Sequence, residues 1–88
     1  MEKYHFLDRT DDTKIYSQNN IGDYVLICEK QNQKFAKTID DLTYGRIVRI
    51  LTKNDHPRGI KVEIYTPAGE YRIGRIVYKI KDGKIKRK

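Results

Sequence analysis

Between Leu42 and Ile80 three short β-branched runs are punctuated by glycine, and this stretch limits the chain to a small twisted sheet. It opens Leu-Thr-Tyr-Gly-Arg-Ile-Val-Arg-Ile-Leu-Thr. A polar loop with His56, Pro57, Arg58 and Gly59 leads into Ile-Lys-Val-Glu-Ile-Tyr. A Pro-Ala-Gly turn leads into Tyr-Arg-Ile-Gly-Arg-Ile-Val-Tyr-Lys-Ile. Basic residues are threaded through all three runs.

The strand expectations follow from alternation and turn chemistry. Tyr24 to Lys30 is the first strand. Its apolar run is continuous, which suits a strand covered on both faces, with the N-terminal segment as a cover. Gly45 to Thr52 is the second and Gly59 to Thr66 the third. In the third, Ile60, Val62 and Ile64 share one face and Lys61, Glu63 and Tyr65 the other. Pro67-Ala68-Gly69-Glu70 is a hairpin turn with glycine in the left-handed position. Tyr71 to Ile80 is the fourth strand, and Gly74 within it marks a bulge or sharp bend. Asp82-Gly83 is a type I′ turn signal that folds Lys84-Ile85-Lys86 back as a fifth strand.

The remainder is less ordered by pattern. Tyr4, Phe6 and Leu7 form one early apolar group and Ile15 with Tyr16 a second. A short strand and a cover over the barrel are both open for them. Residues 31–41 are long for a hairpin loop and suit a helical turn or an extended excursion. Phe35 and Ile39 stand four apart, which permits one helical face without requiring it. The expected architecture is all-β: a small five-stranded SH3-like barrel over residues 22–86, with an N-terminal extension (1–21) and a basic C-terminal tail. An OB-type barrel is the competitor, although it generally needs longer strands.

Eighty-eight residues leave little material for a deep substrate cavity, so no enzyme is expected. No apolar run reaches the roughly 18–20 residues of a membrane span, and residues 1–9 lack the long apolar segment expected of a signal peptide. The single cysteine, Cys28, reads as a small buried hydrophobe and suits a reducing, cytoplasmic setting. The net charge of +7 is unevenly distributed, with −2 over residues 1–43 and +9 over residues 44–88. Charge concentrated in one half favours a polyanionic partner, with RNA, DNA or an anionic membrane surface as candidates and solubility alone as the alternative.

The loop Lys53–Gly59 gathers Lys, Asn, Asp, His and Arg. Asp55 and His56 are adjacent, so on extended backbone they point apart and do not make an acid–base pair. No nucleophile is nearby, and His5, Cys28 and His56 do not complete a metal spacing. No cofactor is expected. His56-Pro57 sets the turn and Gly59 supplies an unusual φ, while Arg58 and His56 are available for phosphate. The basic residues Arg46, Arg49, Lys61, Arg72, Arg75 and Lys79 are interleaved with Tyr44, Tyr65, Tyr71 and Tyr78. Strand parity puts Arg46 and Arg49 on opposite sides, and it aligns Tyr71, Arg75 and Lys79. One patch is therefore expected from Arg49, Lys61, Arg75 and Lys79 with Tyr65, joined by Lys84 and Lys86 of the tail. The tail itself is either an edge strand guarded by lysine or an arm that grips a polyanion.

The central stretch resembles the YwbE-like family of small bacterial proteins of uncharacterised role. The resemblance rests on Gly22, Val25, Ile27 and Lys30, then Leu42-Thr43, Gly45, Val48 and Ile50-Leu51-Thr52. It continues through His56-Pro57, Gly59-Ile60-Lys61-Val62, Gly74-Arg75-Ile76 and Ile80. It covers about residues 22–80, implies a compact β fold, and carries no activity. More distantly, Gly45-Arg-Ile-Val-Arg-Ile followed by Gly59-Ile-Lys-Val is similar to the KOW pattern of SH3-like modules. The leading expectation is a cytoplasmic bacterial or phage module that binds RNA or DNA mainly through phosphates, with low sequence specificity. The alternative is a protein-interaction module, such as a phage-type inhibitor, docking on an acidic partner.

Overall fold

The computed structural model describes residues 6–33 and 35–88. The early apolar residue Tyr4 and the metal-spacing candidate His5 lie outside the described residues. The strands are β1 (Tyr24–Glu29), β2 (Thr43–Ile50), β3 (Lys61–Tyr65), β4 (Tyr71–Lys81) and β5 (Lys84–Ile85). They form one antiparallel sheet in sequence order, and an added β1–β4 pairing closes it into a barrel. The expected all-β small barrel forms: β1 to β4 close it, and β5 is an added strand at the end of β4. The only helical pieces among the described residues are short 3-10 turns.

Closure depends on β4 being long enough to change partners. Its first half pairs with β3, from Tyr71 opposite Tyr65 to Arg75 opposite Lys61, and its second half pairs with β1. Gly74 sits at the changeover, opposite both Val62 and Glu29. A side chain there would place its Cβ 2.5 Å from the Cys28 carbonyl oxygen. Close approach of two backbones, rather than the expected bulge at this residue, explains the glycine. The bulges fall elsewhere. Val48 is the extra residue in β2 against β3, and Val77 is the extra residue in β4 against β1.

The barrel interior holds Val25, Ile27, Ile47, Ile60, Val62, Ile64 and Ile76. Removing these side chains from water supplies the main drive for closure. A second cluster forms outside the wall, where Phe6, Ala36, Val77 and Tyr78 cover Leu26 and Cys28. β1 is thus buried on both faces, which is why its apolar run does not alternate. Tyr78 is part of this outer core and meets Phe6 edge-on, with ring centroids 5.9 Å apart.

The early segment acts as a cover, not a strand. Its two 3-10 turns, Asp11–Lys14 and Tyr16–Gln18, lie against the 55–60 loop. Ile60 N–H donates to Thr13 O and His56 N–H to Lys14 O, both at 2.9 Å. Arg9 is buried, and its guanidinium donates to the carbonyls of Ile76 (2.5 Å) and Arg58 (3.3 Å). In the 31–41 connection, two short turns replace a shared helical face. Phe35 is 72% exposed, and Ala36 and Ile39 do the packing. A capping box between Thr38 and Asp41 fixes the second turn. The Asp82-Gly83 turn has φ of 54° and 76°, the positive pair that type I′ requires, and it folds β5 back as expected.

Candidate functional site

The outward face of β3 and β4 carries the expected cations. Lys61 stands directly opposite Arg75, and Tyr65 directly opposite Tyr71. Cross-strand partners project from the same side of a sheet, so all four face outward. Beside them lies a groove of about 660 Å³ whose walls bring Lys30, Arg58, Lys61, Arg72 and Arg75 together with Glu29 and Glu63. Tyr71 and Ile73 supply its apolar side. Five cations and two carboxylates make it an anion-attracting surface.

The carboxylates take up two cations. Arg72 pairs with Glu70 at 2.9 Å and Glu29 at 3.7 Å, and the Glu70 contacts raise its pKa. Arg49 is on the same face, opposite Glu63, and pairs with it at 3.1 Å. Lys30, Lys61 and Arg75 form no ion pair among the described residues. Arg75 is steadied by donating to Gly59 O at 3.1 Å.

Arg58 lines the groove, and His56 lies close enough to Arg75 and Arg58 for their charges to act on it. The His56 pKa is lowered by burial and by the positive charges of Arg75 and Arg58. Its Nδ1 accepts from the Arg58 N–H at 3.1 Å, which fixes the turn. Gly59 follows with φ +106°, and a Cβ there would come within 2.5 Å of Ile76 O. Asp55 turns away and accepts from Tyr16 N–H at 2.7 Å, so Asp55 and His56 are separately engaged. No group of metal-ligating side chains occurs among the described residues.

The expected patch needs two corrections, both caused by bulges. The extra residue Val48 brings Arg46 and Arg49 to the same side, opposite Tyr65 and Glu63 respectively, where parity had separated them. The extra residue Val77 reverses the alternation of β4, so Lys79 pairs with the inward-facing Val25 and leaves the Tyr71–Arg75 face. The Lys79 amine is held at the barrel end by Gln18 O and lies 3.8 Å from Asp23.

Nor do the tail cations join the groove. Lys86 pairs with Asp12 at 2.7 Å, Arg87 with Asp8 at 2.9 Å and Lys88 with Asp11 at 3.6 Å. Lys88 N–H also donates to Asp8 O at 2.7 Å, and Arg87 lies over the Tyr78 ring, 5.4 Å from its centroid. Lys84 is exposed on β5, opposite Lys81. The Tyr78 hydroxyl donates to Asp8. That bond, then a hydrogen bond from its own backbone and the Arg87 contacts, outweigh burial and hold the Asp8 carboxyl below its ordinary range. Burial works to raise Asp12, but the hydrogen bonds from Lys86 and Thr10 outweigh it and leave the pKa lowered. The tail is an ion-paired strap over the N-terminal segment. Neither pattern nor spacing disclosed it, because Asp8, Asp11 and Asp12 are more than 70 residues from their partners. Their only sequence signal is the opposite sign of the two halves.

The family described as uncharacterized conserved protein (DUF2196) matches residues 12–78, and the chain belongs to it. The match takes in the later part of the cover segment, strands β1 to β3, β4 as far as Tyr78, and every groove residue named above. No curated protein and no solved structure gives a significant match. No helix among the described residues is long and apolar enough to cross a membrane.

Proposed function

We propose that the protein is a small nucleic-acid-binding module whose groove face receives the phosphates of RNA or DNA with low sequence specificity. One observation carries this reading: Lys61 and Arg75 sit side by side on an exposed face without carboxylate partners among the described residues. Lys30 and Arg58 extend the same positive surface along the groove. Side chains of this kind neutralise phosphates and release counterions, which gives affinity without reading bases. The finer kinship suggested by the sequence, a YwbE-like protein with an SH3-like, KOW-related barrel, belongs to this proposal. So does a cytoplasmic bacterial or phage setting. The role needs no catalytic group, in keeping with a binding protein rather than an enzyme.

Measuring affinity for a single-stranded oligonucleotide across a salt series tests the reading. Four phosphate contacts give a slope of log affinity against log salt of about −3. A slope near zero contradicts the proposal. A second reading, docking on an acidic protein, draws support from Ile73, which is 41% exposed beside the cations and offers an apolar anchor. A stoichiometric protein partner that survives high salt, with no nucleic acid recovered, favours that reading instead.

A further inference from the structure

The barrel register aligns one exposed residue from each of four strands. Tyr24 of β1 is opposite Arg46 of β2, Arg46 is opposite Tyr65 of β3, and Tyr65 is opposite Tyr71 of β4. Cross-strand partners share a face, so this is one continuous row around the outside of the barrel. Tyr24 is 46% exposed, Tyr65 39% and Tyr71 62%, and Arg46 is exposed as well. None of the four belongs to either apolar core.

The rings are held in position by one another. Tyr24 is stacked on Tyr44 with centroids 5.8 Å apart and planes within 13°. Tyr65 and Tyr71 are 5.1 Å apart and tilted by 56°. Between the two pairs stands Arg46, which forms no ion pair among the described residues. Four residues further along β3, the Lys61–Arg75 pair lies about 13 Å away on the same face.

We infer that the row Tyr24–Arg46–Tyr65–Tyr71 is a stacking platform for the unpaired bases of a single-stranded polynucleotide. This rests on the nucleic-acid reading above and adds the strandedness of the ligand. Ring faces presented in pre-arranged pairs take up any base, because every base has a π-face. In a duplex those faces are already stacked on their neighbours, so only an unpaired strand can use the row. Its charge complements a phosphate chain: Arg46 lies within the row and Lys61 with Arg75 beyond it. The same positive charge opposes a second copy of this face.

Fluorescence anisotropy with a labelled oligouridylate and with a short RNA duplex tests the inference. The oligouridylate is expected to bind more tightly than the duplex. Tyr65→Ala with Tyr71→Ala is expected to weaken oligouridylate binding about tenfold or more, with an unchanged salt slope because the phosphate contacts remain. Tyr24→Ala with Tyr44→Ala provides a second, independent pair. Circular dichroism melting identifies any variant that fails to fold, and the Tyr→Phe versions of both pairs retain the rings. The phenylalanine versions are expected to keep wild-type affinity. Equal duplex affinity, folded alanine variants that bind as wild type, or phenylalanine variants that lose as much as alanine each overturn the platform while leaving phosphate binding intact. Failure of the wild type to bind either probe overturns the nucleic-acid reading and the platform with it.

Discussion

Lys61 and Arg75 on the groove face, and Lys86 and Arg87 in the C-terminal strap, are the same side-chain chemistry in two electrostatic settings. The strap residues meet carboxylates at 2.7 and 2.9 Å, whereas the groove pair meets none among the described residues. An excess of positive charge therefore does not by itself mark a binding surface. The acidic N-terminal segment is folded onto the basic C-terminus, where it neutralises part of the charge that makes the second half look uniformly attractive to a polyanion. What is left over is concentrated on β3, β4 and the groove.

The largest effect is expected from reversing the groove pair. Lys61→Glu with Arg75→Glu should weaken oligonucleotide binding on the order of 100-fold at physiological salt and flatten the salt slope by about two. Stability should fall only modestly, through loss of the Arg75 bond to Gly59 O, because Lys61 is exposed and Arg75 half-buried on the outward face. Equal losses from reversing the tail cations would erase the distinction between the two regions. Next in size is release of the strap. Asp8→Asn, Asp11→Asn and Asp12→Asn together free three cations, so affinity should rise about tenfold and the salt slope should steepen. The melting temperature of this variant should fall, because the strap no longer holds the cover segment.

A smaller effect involves His56. Phosphate beside Arg75 and Arg58 offsets the charges that help to lower its pKa, so the complex takes up a proton more readily than the free protein. Affinity should rise about threefold as pH drops through the ordinary histidine range, and His56→Ala should abolish that rise. Smallest is the pH response of the strap. Asp8 and Asp12 have depressed folded pKa values, so their contribution is present above about pH 4 and is lost as pH falls below it. Tyr78 is pushed up to about 12 by burial and by its bond to Asp8, so its contribution persists to about pH 10 and fades from there towards 12. Melting curves across both windows should show these losses, and Tyr78→Phe should remove the alkaline one.

Local pattern carried the strands, the turns and the two-sided burial of β1, because each depends on neighbours a few residues apart. Alternation along β3 gave the outward set Lys61, Glu63 and Tyr65 directly. It failed at Arg46 and Lys79 because the extra residues Val48 and Val77 each shift the parity by one. A bulge at a valine in a β-branched run leaves no mark in composition, whereas Gly74 drew attention for a different physical reason. The strap was hidden for another cause. Ion pairs such as Asp12–Lys86 join the two ends of the chain, and only the closed barrel brings those ends together. Tyr24 and Arg46 were missed as a pair because their alignment depends on register between strands, not on spacing within one.

The most direct test of the groove-versus-strap account is amide NMR of the full chain titrated with a short single-stranded oligonucleotide. The account predicts that the largest shifts fall on residues 58–61 and 71–75, with the strap residues Lys86, Arg87 and Lys88 nearly unmoved. Shifts centred on 84–88, with Lys61 and Arg75 unchanged, would contradict it.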